Sequence, residues 1–206
     1  MSTLVETLQP RFVGLAPRQS GDHPAVRCPA ELVLPLLQCL RDEFGYSLLM
    51  DVTAVDWEED TPRFSVFYHL FCVSDARYIR VAIDCPDDEE PSVPSVVSLF
   101  PAADWHERET FDMFGIRFEG HPDLRRILMW DEYPYFPLRK EFPLAGIETE
   151  LPDEEVSEET RAKVLSAPMM GGPFVSKSGA PMSRAEPRAK DQSWTEWDRK
   201  PTKEIE

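Results

Sequence analysis

Alternation is the strongest signal along this chain. Between Tyr78 and Cys85, residues Ile79, Val81, Ile83 and Cys85 fall on one side, with Tyr78, Arg80 and Asp84 on the other. That period of two is what a half-buried strand requires. Arg63–Val73 sets Phe64, Val66, Tyr68 and Leu70 on one face, and Tyr46–Val55 is apolar enough to predict a central strand. Short polar links at 58–62 and 74–77 predict an antiparallel meander. Helical spacing precedes it: Leu32, Leu36, Leu37, Leu40 and Phe44 form one stripe over Pro29–Phe44, and Gly45 suits the helix end. Pro35 lies inside that stripe, which predicts a kink or a later start, because an interior proline loses a backbone hydrogen bond. After the meander come a short helix from about Pro94, a longer one over Ala102–Phe114 closed by Gly115, and a short strand over Ile116–Glu119. The pattern predicts an α+β fold in two layers, helices packed on a mostly antiparallel or mixed sheet.

The flanks read differently. Residues 1–28 are polar and proline-punctuated, an N-terminal segment with a short helix or strand near Thr7–Val13. The globular α+β domain is expected over 29–130. Beyond it Pro134, Pro137, Pro143 and Pro152 recur, followed by acidic Asp153–Glu159 and a Pro/Ser/Gly-rich tail, a composition unable to build its own core. Yet Trp130, Tyr133, Tyr135, Phe136, Phe142, Phe174, Trp194 and Trp197 fall there, and large aromatics are costly to leave in water. Residues 131–206 are therefore expected to be an extended C-terminal docking arm.

Composition narrows the function classes. A formal charge of -16 and a pI near 4.7 disfavour nucleic acid, whose phosphates demand a basic surface, and direct docking on anionic lipid. No uncharged apolar run approaches the ~20 residues of a membrane helix. The opening Met-Ser-Thr-Leu-Val-Glu has neither the basic nor the apolar stretch of a leader peptide. The expectation is a soluble, cytoplasmic chain. Cys28, Cys39, Cys72 and Cys85 never form a CxxC pair, so buried free thiols are expected rather than a metal or cluster site.

Candidate chemistry concentrates between Glu107 and Lys140. On a helical wheel Trp105, Arg108, Glu109 and Asp112 share one face, with Arg108 and Asp112 spaced as an i, i+4 pair. Glu107 lands between Phe111 and Phe114 on the other face. A carboxylate there is either desolvated, with a raised pKa, or neutralised by a cation, for which Arg125, Arg126 and Arg139 are candidates. An enzymatic reading would use a carboxylate pair with His121 as general acid/base, or a metal held by His106, Glu109 and His121. Against it, His106-Glu107 is followed by Thr110 where a zincin places its second histidine. No phosphate loop or nucleophile elbow is present, and His121 before Pro122 suits a backbone-capping turn. Acids matched with arginines among aromatics favour a salt-bridged interface over a catalytic centre.

The run with Glu107, Arg108, Glu109, Asp112, Gly115, Phe118, His121, Pro122, Asp123, Leu124, Arg125 and Arg126 in step closely resembles the signature of the 30 kDa subunit family of NADH:quinone oxidoreductase, respiratory complex I. The resemblance extends back through Pro101–His106 and Asp51–Asp56, and forward through Pro137-Leu138-Arg139-Lys140 and Phe142-Pro143-Leu144, covering roughly 29–145. One departure is visible: Tyr135-Phe136 stands where family members usually place Gly-His. The resemblance implies a scaffold subunit without a cofactor or catalytic residues of its own, in a hetero-oligomer whose other subunits hold FMN, iron–sulfur clusters and the quinone site. It implies docking on the 49 kDa-type subunit, electron transfer from NADH to quinone coupled to proton translocation, and a peripheral position on the cytoplasmic side of the inner membrane. Related membrane-bound hydrogenases and photosynthetic complex I relatives keep the same module.

Overall fold

The computed structural model describes residues 2–58, 60–143, 147, 149–151 and 153–164. The chain divides into one unit over 1–140 and a second over 141–206. In the first unit α1 (Ser2–Leu8), β1 (Ala16–Arg18) and β2 (Ala25–Arg27) precede a 3-10 turn at Ala30–Leu32 and α2 (Val33–Asp42). The meander follows as β3 (Leu48–Asp56), β4 (Phe64–Cys72) and β5 (Arg77–Asp84), then β6 (Ser92–Pro94), α3 (Ala103–Phe114) and β7 (Arg117–Glu119).

The expected meander forms, with β3–β4 and β4–β5 antiparallel, but it is only part of a five-stranded sheet ordered β1-β2-β5-β4-β3. Because β2 pairs parallel with β5, placing Val26 opposite Val81, the sheet is mixed. The N-terminal segment thus contributes two strands. Each is three residues long and carries no readable alternation, so only the non-local pairing defines it.

Period-two patterning sorts the sheet's faces. Val52, Tyr68 and Val81 are register partners on the core face, as are Ala54, Val66 and Ile83, and all six are buried. They join one cluster with Leu36, Leu37 and Leu40 of α2 and Ala103, Met113 and Phe114 of α3. Helix α2 starts at Val33, later than Pro29, which leaves Pro35 in the first turn, where a missing N–H costs nothing. The opposite sheet face carries polar pairs: Arg27 with Asp84, Arg80 with Asp22 at 3.1 Å, and the Tyr78 hydroxyl 2.7 Å from His69 Nδ1. All four cysteines are buried and free, and burial pushes the thiols of Cys28 and Cys85 up to about 12.

Two expectations fail. The strand expected to be central, β3, lies at the edge of the sheet. Its buried residues Leu49, Val52 and Ala54 face the common core, and α3 lies along the open edge: Thr110 Oγ1 donates to the Val52 carbonyl (3.1 Å), and His106 Nδ1 pairs with Asp51 (3.2 Å). An edge hidden by a helix needs no charged guard residues. The short helix expected from Pro94 is instead β6, paired parallel with β7, followed by a single turn in which Leu99 and Phe100 N–H both reach the Val96 carbonyl. Pro91 and Pro94 favour extended backbone there.

In the second unit Asp153 caps α4 (Glu154–Thr160), accepting from the Val156 N–H at 3.1 Å. The acidic run is thus a short helix with an ordinary cap. Phe174, Trp194 and Trp197 lie outside the described residues.

Candidate functional site

Three carbonyls at the end of α3 organise the charged stretch. A helix leaves its last C=O groups without intrahelical partners, and here those of Asp112, Met113 and Phe114 find partners outside the helix. The last helical bond runs from Gly115 N–H to the Phe111 carbonyl (2.8 Å), and beyond it the Asp112 carbonyl accepts from Arg126 Nη1 (3.0 Å). The Met113 carbonyl accepts from Leu138 N–H (3.1 Å), and the Phe114 carbonyl from Arg139 Nε (2.6 Å). Two guanidinium groups therefore sit at the negative end of the helix dipole, where cations are favoured. The Pro-Leu-Arg-Lys run is a strap across this helix end. Lys140 N–H ties it down on Asp56 Oδ2 at 2.8 Å.

Gly115 makes the close approach possible. Its φ is +74°, and a Cβ there would meet Arg139 Nη2 and Phe136 at 2.7 Å. Phe136 fills this corner. Its ring lies under the guanidiniums of Arg139 (4.7 Å) and Arg126 (5.0 Å) and edge-on to Phe111 (6.5 Å).

Asp112 is the hub. It is fully buried, with Oδ1 accepting from Arg126 Nη1 at 2.6 Å and Oδ2 accepting from three successive N–H groups, Ile127 (3.0 Å), Leu128 (2.7 Å) and Met129 (2.9 Å). Burial pushes its carboxyl up, but those N–H groups and the Arg126 guanidinium outweigh it and hold the carboxyl below its ordinary value. Arg126 also donates Nη2 to the carbonyls of Tyr133 (2.7 Å) and Tyr135 (3.1 Å). Trp130, Tyr133 and Tyr135 stack edge-to-face behind it. Residues 131–140, expected to open the docking arm, are spent closing their own domain.

Other expectations are redirected. Arg108 does not pair with Asp112. It is buried, donating to the carbonyls of Arg125 (3.2 Å) and Arg126 (3.4 Å) beneath the Trp105 ring. The wheel cannot show this, because the 124–129 segment covers the polar face of α3. Glu107 is fully buried and meets none of Arg125, Arg126 or Arg139. Ser95 Oγ donates to its Oε2 (2.6 Å) and Val96 N–H to its Oε1 (2.7 Å), while burial pushes its carboxyl up to about 7. His121 takes Asp123 N–H on Nδ1 (3.0 Å) and turns Nε2 to Asp104 Oδ1 (3.1 Å), fastening the turn after β7 to the first turn of α3. Arg125 and Asp123 form an exposed pair at 2.9 Å, and Glu109, Pro122 and the Lys140 side chain are also exposed.

The residues named for a metal or acid/base site do not converge. His106 goes to Asp51, His121 to Asp104, and Glu109 faces solvent. Among the described residues no group of three or more His, Cys, Asp or Glu side chains could hold a metal ion. A groove of about 760 Å³ between α1 and the sheet, lined by Leu4, Val5, Val26, Tyr78 and Ile79, includes no residue of the charged stretch. Sequence reasoning missed Asp56 and Ser95 as partners of this site. Asp56, the acid that ends β3, also takes Arg63 Nε and Nη2 at 2.8 and 2.7 Å, and its position was the available signal. For Ser95 no local signal exists.

Fold and site together define an α+β domain whose buried charged residues brace one helix end. Residues 26–148 match the family described as the respiratory-chain NADH dehydrogenase, 30 Kd subunit, and the chain belongs to that family. It is 43% identical over 144 residues to the C-subunit of the NADH-quinone oxidoreductase of Moorella thermoacetica, covering 70% of this chain and 96% of the relative. It is 52% identical over 116 residues to that of Hyphomonas neptunium (55% and 56%), and 46% over 127 residues to that of Phenylobacterium zucineum (61% and 60%). A chain in the structure of the membrane-bound sulfane sulfur reductase, an archaeal respiratory membrane complex, shares the fold at TM-score 0.59 and 23% identity, covering 78% of this chain and 91% of that one.

Proposed function

We propose that this chain is a scaffold subunit of the peripheral arm of NADH:quinone oxidoreductase, docking on the 49 kDa-type subunit near the quinone site. The carrying observation is how the signature residues divide. Arg108, Asp112, Arg126 and Arg139 turn inward to hold α3 and its strap, and Glu107 turns inward to the turn at Ser95 and Val96. The outward residues on the same helix and loop are Trp105 (63% exposed), Glu109, Arg125, Leu128 (61%) and Leu138 (52%). Large apolar anchors ringed by opposite charges are the composition of a protein–protein contact. The relatives' shared name, which makes each of them a subunit of NADH-quinone oxidoreductase, supports the same reading.

On this proposal FMN, the iron–sulfur clusters and quinone are held by neighbouring subunits. This chain keeps them in register for electron transfer from NADH to quinone and the coupled proton translocation. Its place is peripheral, on the cytoplasmic side of the inner membrane. No helix among the described residues is long and apolar enough to cross a membrane.

The test is affinity purification of the tagged full chain from its host. Cluster-bearing subunits should co-purify in stable proportion, and the chain purified alone should show no turnover. Turnover by the lone chain, abolished in Glu107→Gln, would overturn the proposal.

A further inference from the structure

Glu107 takes no part in the cap of α3's end, yet it is among the largest fully buried side chains in the domain. Both carboxyl oxygens are spent on one segment: Oε2 on Ser95 Oγ and Oε1 on Val96 N–H. Ser95 Oγ in turn accepts the Val97 N–H at 3.3 Å. This carboxyl thus holds the turn that carries the chain from β6 into α3.

What surrounds the carboxyl is neutral or acidic. Tyr68 on β4 lies within reach of its charge, with a buried hydroxyl that has no hydrogen-bond partner among the described residues. From its own helix Asp104 disfavours a second negative charge. Among the described residues no arginine, lysine or histidine forms an ion pair with Glu107. A carboxylate in such a pocket has two neutral donors and no countercharge, a costly state; the protonated acid fits the pocket without that cost.

We propose that the contact of Glu107 with Ser95 and Val96 is a proton-operated latch: the protonated acid clamps the 95–97 turn to α3, and loss of the proton releases it. The geometry stands without the docking assignment, and the test does not use a partner.

The experiment follows the Glu107 side-chain carboxyl by NMR in the full chain, labelled on glutamate, together with hydrogen exchange at Val96 and Val97 corrected for the intrinsic pH dependence. Desolvation lifts this carboxyl from 4.5 to about 7. If opening the turn restores the ordinary value, protection at Val96 should fall by up to roughly 70-fold between about pH 5 and pH 8. Glu107→Gln should abolish that pH dependence. Ser95→Ala removes a donor that favours the charged form, so it should move the Glu107 midpoint to higher pH while the chain stays folded. A midpoint below about pH 5.5, corrected protection independent of pH, or an unmoved midpoint in Ser95→Ala would each overturn the latch. Should the glutamine variant fail to fold, the wild-type titration and Ser95→Ala decide the question.

Discussion

At the scale of single residues, the buried acids make opposite contributions to the pH profile. Asp112 and Asp56 are held below their ordinary range: burial pushes each up, but backbone N–H groups and Arg126 or Arg63 prevail. Their contribution is present above the unfolded value near 4 and is lost as pH falls through the lower folded value. Glu107, raised from 4.5 to about 7, has the reverse sign. Its contribution is complete below 4.5 and is lost as pH rises through about 7, a difference of roughly 3 kcal/mol at most. Denaturant melts of the full chain should therefore show greatest stability at about pH 5 to 6, with the alkaline decline absent in Glu107→Gln. Asp112→Asn strips Arg126 of its countercharge inside the domain and should cost about 3–5 kcal/mol in the same melts. Asp123→Asn, acting on an exposed pair, should change stability by less than about 0.5 kcal/mol.

At the scale of elements, the end of α3 is the joint on which the domain closes. Gly115→Ala places a Cβ into Arg139 and Phe136 at a residue with φ +74°. It should cost about 1–3 kcal/mol and raise hydrogen exchange at Leu138 before it does so in β4. If β4 and Leu138 lost protection together, the strap would not be a separable element. Most of these elements are legible in the sequence. The meander and α3 announce themselves by period, and Gly115 by its place after Phe114. What escapes is whatever depends on a distant partner. β1 and β2 exist through β5, and β3 reads as central because a helix, not a strand, covers its edge. The Arg108–Asp112 spacing is satisfied on the wheel, yet both side chains turn to the 125–129 backbone. Helical periodicity describes a face but not what lies over it, which is why the site's residues could be named while their pairings could not.

At the scale of the whole molecule, a dense set of acids, arginines and a histidine proves to be the internal bracing of the domain. On the proposed function, the outward side chains of the same stretch face a partner. The described chain up to Lys140 closes on itself, so truncation after Gly146 should leave the melting midpoint of the domain within about 2 °C of the full chain while weakening assembly. An unchanged yield of complex would remove the docking role given to the tail. The most direct measurement is co-purification of the full chain carrying Trp105→Glu and Leu128→Glu, with its thermal melt recorded in parallel. A docking face predicts an unchanged melt, loss of the cluster-bearing subunits from the purified material, and loss of NADH:quinone activity in the membranes. Full recovery of those subunits with unchanged activity would contradict it.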